Sequence, residues 1–303
     1  MTKIRARSSG SVRDRRGQGG GGGLGGLNFP MGGGGGGLPF PIKAGGGMLG
    51  IIILLATLFL PKLLGGLSGG SSAADVAPSS EDDPDEETVC DTETAQIVCG
   101  AVEDVQPYWT DQLPQSFGTG YEPTDTVFFS GFTNTGCGQA SAQTGPFYCP
   151  LDKLVYFDLD FLVQLQEQFG ASGDLAAQYI VAHEYGHHVQ NVLGLNAQVH
   201  QAQQNDPARA NEYSVALELQ ADCFAGAWAR SAADRGKLDS RQEIEEAVNA
   251  AEAVGDDRIQ QQTQGRVDPE SWTHGSSQQR ADWFRRGFDS ADPTTCNTFD
   301  EIL

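Results

Sequence analysis

"GDLAAQYIVAHEYGHHVQNVLG", residues 173–194, carries three of the chain's five histidines within six residues. Asp174 suits a helix N-cap and Gly194 a C-terminal stop. Between them Leu175, Tyr179, Ala182, Gly186, Val189 and Leu193 recur at helical period and mark a buried stripe. On such a helix His183 and His187 stand four apart on one face, with Cβ atoms about 5–6 Å from each other. That spacing lets two imidazoles bind one zinc ion. Glu184, the next residue round the helix, is placed to take a proton from water at the ion without being a ligand. His188 is five residues from His183 and turns away from the ion.

A catalytic zinc needs a third protein ligand and one position open to water. The longer HExxHxxGxxH pattern would require glycine and histidine where Gln190 and Leu193 stand, so it is excluded. His200 lies past the Gly194 stop with no set orientation. The stretch "NDPARANEYSVALELQADCFAGAWARSAADRG", residues 205–236, predicts a second long helix, with Asp206 as cap, Pro207 in the first turn and Gly236 at the end. Glu218 and Asp222 share a face of it. Glu218 could close the zinc shell while Asp222 accepts the outer N–H of a ligand histidine. In so acidic a chain an exposed acidic pair is the plain alternative, but "LELQADCFAGAWA" is too apolar to be a solvated face. His200 and His274 remain the alternatives to Glu218.

The 303 residues carry a net charge of −21 that is unevenly spread. Lys3, Arg5, Arg7, Arg13, Arg15, Arg16 and Lys43 precede an apolar run, "MLGIIILLATLFLPKLL", and the body beyond it is strongly acidic. This asymmetry predicts a single-pass signal anchor over 48–64, with the N-terminus cytoplasmic and the body extracytoplasmic. The apolar core, Met48 to Leu60, is shorter than the roughly 20 residues that cross a bilayer, and Lys62 would have to reach the headgroups. Residues 1–47, dominated by glycine runs, are expected to be a disordered basic tail, and 65–88 a flexible acidic linker. The folded domain is then 89–303. The acidic body argues against nucleic acid as a partner. Short β-branched and aromatic runs between Thr126 and Phe161 predict strands. Further helices are expected at about Arg241 to Val254, at "DDRIQQQ" and at about Ser277 to Arg286. The fold class is α+β, helix-dominant, with a small antiparallel sheet.

"HEYGHH" followed by "ELQADCFAGAWA", together with "CGQASAQTGPFYCPLDKLVYFDLDF", "THGSSQQRADWFRRGF" and "CNTFD", resembles the bacterial neutral zinc metallopeptidase family, itself similar to zincins that take a glutamate as third ligand. The resemblance runs from about Cys137 to Phe299. It implies a zincin-like domain holding one Zn2+ through His183, His187 and Glu218, with Glu184 as catalyst and Asp222 behind a ligand histidine. The expected activity is a membrane-anchored zinc endopeptidase acting on a peptide or protein substrate. A zinc hydrolase of a non-peptide cell-envelope amide and a non-catalytic zinc-stabilised binding protein are the alternatives. His274, just before the last helix, is the candidate oxyanion donor, and Arg280 a weaker one. By analogy with zincins, "GPFYCP" or "KLVYFD" would supply an edge strand for substrate. Six cysteines, all beyond the apolar run, favour disulfides. The expected pairs are Cys137–Cys149, closing a hairpin, and Cys223–Cys296, tying the ligand helix to the C-terminus, which leaves Cys90–Cys99.

Overall fold

The computed structural model describes residues 3–17, 89–169, 174–238 and 241–300. The apolar run over 48–64 and the linker over 65–88 lie outside them. Among the described residues no helix is long and apolar enough to cross a membrane.

The architecture is α+β and helix-dominant. A four-stranded sheet runs in the order β1 (Val12–Asp14), β2 (Thr126–Phe129), β6 (Leu154–Asp158), β5 (Phe147–Cys149). A separate hairpin joins β3 (Phe132–Thr135) to β4 (Gly138–Ser141). The expected antiparallel sheet is in fact mixed: β1 pairs parallel with β2 and β2 with β6, and only β5 runs antiparallel. The chain leaves β2, makes the β3–β4 hairpin and β5, and returns as β6 alongside β2, so the parallel pair is closed without an α-helix. The strand in "KLVYFDLDF" ends at Asp158, whose Oδ1 accepts from the amides of Asp160 and Phe161 and so opens helix α2 (Leu159–Phe169).

The first part of the tail expected to be disordered is ordered. Residues 3–17 lie along the body and supply β1, with Ile4 and Val12 in the core. Glycine content misled the expectation, because the glycine runs begin only after this segment.

Helix α1 (Glu93–Phe117) has no counterpart in the sequence expectation, since Pro107 and Pro114 interrupt it. An internal proline costs about 3 kcal/mol. Burying one large apolar side chain returns roughly 1.5–3 kcal/mol, and Val105, Trp109 and Leu113 are all fully buried here. Packing therefore outweighs propensity.

The ligand-bearing helices are α3 (Asp174–Val192) and α5 (Ala210–Asp234). Between them Gly194, at φ 77°, ends one helix and begins α4 (Leu195–Asn205). Helices α6 (Arg241–Ala253), α7 (Asp256–Gln264) and α8 (Ser277–Ser290) complete the bundle. Helix α5 packs on α3 and α8, and α3 also packs on α1 and α6.

All three disulfides form as expected: Cys90–Cys99, Cys137–Cys149 and Cys223–Cys296. Cys137 lies between β3 and β4, so its bond ties the hairpin tip to β5 rather than closing a hairpin of its own.

Two helix crossings are set by small residues. Gly186, between the two histidines of the α3 face, has Ala221 of α5 so close that a Cβ would stand 3.1 Å from its Cα. At the α5–α8 crossing a Cβ on Gly287 would stand 1.9 Å from the Cys223 carbonyl oxygen. Replacing a helical glycine by alanine ordinarily gains about 0.5–1 kcal/mol, but here overpacking costs about 1–3 kcal/mol or more. Gly287→Ala is therefore expected to lower the melting temperature, by roughly 2–4 °C per kcal/mol lost. A calorimetric scan showing equal or greater stability would contradict this packing.

Candidate metal centre

The α3–α5 crossing brings three potential ligands together. His183, His187 and Glu218 each offer a ligand atom, and the three atoms lie within 4.8 Å of one another. His183 Nε2 is 3.2 Å from Glu218 Oε2, and His187 Nε2 is 3.5 Å from Glu218 Oε1. Both Nδ1 atoms are occupied on their far sides: that of His183 by Asp222 Oδ1 at 2.8 Å, that of His187 by Gln190 Oε1 at 2.9 Å. Each ring is thus held with Nε2 facing the common point. Two imidazole nitrogens and one carboxylate, oriented by outer hydrogen bonds, match the donor set of a catalytic zinc. His187 and Glu218 keep 16% and 15% side-chain exposure, which leaves the site open to solvent on one side.

The supports reach well beyond the ligands. Gln190, at the position where the longer motif would need glycine, also donates through Nε2 to the Leu217 carbonyl and to Gln220 Oε1, linking α3 to α5. Asp222 is fully buried and receives the Tyr179 hydroxyl at 2.5 Å, His183 Nδ1, and Arg280 at 2.8 Å and 2.9 Å. Arg280 was a weaker candidate for oxyanion donor. Its guanidinium is instead committed to Asp222 and to the Val254 carbonyl. The sequence signal for Gln190 and Arg280 was slight, since neither is a metal ligand and both act through atoms brought in by other helices.

His188 turns away, as its spacing requires. It faces the Tyr148 hydroxyl at 3.1 Å and the Glu122 carbonyl at 2.6 Å, and burial depresses its pKa. His200 is exposed and meets Gln204, so it is no ligand. His274 lies near Glu218, close enough for each charge to affect the other. Its Nδ1 is 3.0 Å from Asp256 Oδ1, while Asp256 Oδ2 accepts from the amides of Thr273 and His274. Asp256 is a partner that no local pattern marks, because it belongs to α7, 18 residues earlier.

Three carboxylates here have different electrostatic fates. Burial raises the pKa of Glu184, and the neighbouring histidine charges only partly offset it. For Glu218 burial pulls the same way, but His187 and His183 win and hold it well below the ordinary value. For Asp222 burial is likewise overcome, by Arg280 and His183. Among the described residues no donor reaches the Glu184 carboxylate, although the residue is only 7% exposed.

Two histidines a helical turn apart, completed by a carboxylate from the neighbouring helix, form the ligand constellation of the HExxH class of metalloproteins. The chain belongs to the family described as "Putative neutral zinc metallopeptidase", whose model matches residues 1–299. It is 44% identical over 298 residues to an uncharacterised protein, YpfJ, of Escherichia coli strain K12, covering 98% of each chain. It is 48% identical over 205 residues to the uncharacterised protein Rv2575 of Mycobacterium tuberculosis strain H37Rv, covering 64% of this chain and 67% of the relative. No solved structure matches the chain.

When the site holds no metal, burial favours a neutral His183, but the charge and hydrogen bond of Asp222 and the hydrogen bond of Glu218 prevail and push its pKa up to about 10. At neutral pH that imidazole therefore carries a proton, which zinc must displace. Titrating zinc into the metal-free protein at pH 7 is expected to release about one proton from this group. Affinity should then rise with pH up to about 10. Calorimetry in buffers of different ionisation enthalpy measures the release, and none at all would contradict this charge balance.

Proposed function

We propose that the chain is a zinc-dependent endopeptidase. The observation that carries this reading is the unpaired, buried Glu184 carboxylate beside the convergent His183, His187 and Glu218. A purely structural zinc site has no use for such a group. When bound, the ion supplies Lewis-acid polarisation of a scissile carbonyl and of water. Glu184, with its pKa raised by burial, is suited to take a proton from the attacking water and pass it to the leaving amine. The low pKa of Glu218 keeps it anionic and available as a ligand. Asp222, Tyr179 and Arg280 fix the His183 ring.

His274 is the donor for the developing oxyanion. With Nδ1 engaged by Asp256, Nε2 remains to donate, and Asp256 helps raise the histidine's pKa against the opposing effect of burial. Substrate adds as a strand to β5, which is the sheet edge and sits on α3 through Tyr148, whose hydroxyl meets His188 and Asn191. Of the two segments considered for that role, "GPFYCP" is thus the edge, while "KLVYFD" is the interior strand β6. An edge strand beside the metal helix favours a peptide over a non-peptide amide. The three disulfides support an oxidising compartment as the place of work.

Glu184→Gln is expected to retain zinc, measured by elemental analysis, while cleavage of an unfolded protein falls roughly 10²–10⁴-fold. A fully active variant refutes the assignment. Glu218→Ala should instead lose the metal, and normal zinc content would remove it from the ligand set. For His274→Ala the expected result is unchanged zinc with kcat reduced roughly 10²–10³-fold, and metal loss would show a ligand role.

A further inference from the structure

The segment 3–17 carries a consequence for where the two halves of this chain reside. Its basic residues are part of the reason to expect a cytoplasmic N-terminus, yet the structure pairs three of them with acids of the body. Arg5 reaches Glu93 at 3.0 Å and Asp174 at 2.8 Å. Arg16 reaches Asp91 at 2.9 Å and donates to the Val89 carbonyl, and Arg13 pairs with Asp125. Exposed pairs of this kind are worth only about 0–1 kcal/mol each, so they give register more than affinity.

The stronger attachments are buried. Ile4 and Val12 are 3% and 7% exposed within the main core. The Gln178 amide donates to the Ile4 carbonyl at 2.7 Å from inside α3, the metal-ligand helix. Backbone bonds run from Ala6 N to Gln96 O, from Arg15 N to Phe128 O and from Thr126 N to Ser11 O, at 3.0, 2.8 and 2.8 Å. The body is also shaped to receive the arm. Gly100 sits inside α1, where glycine costs about 0.5–1 kcal/mol against alanine, and a Cβ there would stand 2.5 Å from the Arg5 Cα. The helix gives up a side chain so that the arm can lie against it.

From this docking we infer that residues 3–17 and the metal-binding body occupy the same oxidising compartment. A hydrocarbon layer about 30 Å thick cannot lie between groups that share hydrogen bonds. Three of the arginines that resemble a positive-inside signal, Arg5, Arg13 and Arg16, are engaged in intramolecular ion pairs. The inference is independent of the catalytic reading.

The test uses the full chain in two variants, Ser8→Cys and Asp289→Cys, both at exposed positions. Cells opened to the outer face of the cytoplasmic membrane are treated with a membrane-impermeant maleimide before and after lysis. Both variants are expected to label to the same extent before lysis. Labelling of Asp289→Cys with Ser8→Cys protected until lysis would overturn the inference, and so would protection of both. In the purified full chain, the amides of Ala6 and Arg15 should exchange with deuterium at least 10²-fold more slowly than in an unstructured peptide. Exchange at the peptide rate would mean that the arm is not docked.

Discussion

The site depends on the neutralisation of one buried charge. Asp222 has no exposed surface, and an unpaired carboxylate in such a place costs several kcal/mol. It is stabilised by three residues from two helices: His183 and Tyr179 of α3, and Arg280 of α8. Because the acceptor is saturated in fixed directions, the His183 ring has one orientation, and its Nε2 is held toward Glu218. Removing any donor leaves charge uncompensated as well as loosening a ring. The ligand geometry and the stability of the three-helix core are therefore the same problem.

Backbone spacing makes this arrangement possible. Gly186 and Ala221 let α3 and α5 approach until the histidine and carboxylate faces meet, and Gly287 against Cys223 does the same for α5 and α8. Within the resulting pocket, similar carboxylates diverge in chemistry because their partners differ. Glu218 and Asp222 face cations and stay ionised. Glu184 has burial without a hydrogen-bond donor and so holds its proton more tightly.

Much of this site was legible in the sequence because the ligands lie on two helices with local periodicity. His183 and His187 follow from a four-residue spacing, and Glu218 with Asp222 from an acidic pair embedded in an apolar face. The fold around them was less legible. The proline-interrupted α1 is stabilised by contacts that no local pattern records. The mixed sheet depends on pairing between Val12 and Thr126, more than a hundred residues apart. Asp256 was hidden for the same reason, as was the role of Arg280 at Asp222, since each meets the site through tertiary placement rather than spacing. The arm is illegible for a different reason: charge and glycine content describe a segment on its own, while Arg5, Arg13 and Arg16 answer to acids elsewhere.

The order in which residues leave the ribosome bears on the centre. Both helices that carry the candidate ligands are complete by Asp234, but the guanidinium that settles Asp222 arrives only with Arg280, and the thiol that pins Cys223 only with Cys296. A nascent chain carrying the full ligand set thus still has an uncompensated anion behind His183. Maturation of the centre is tied to completion of synthesis, so a truncated product would lack the support behind His183 even with every candidate ligand present.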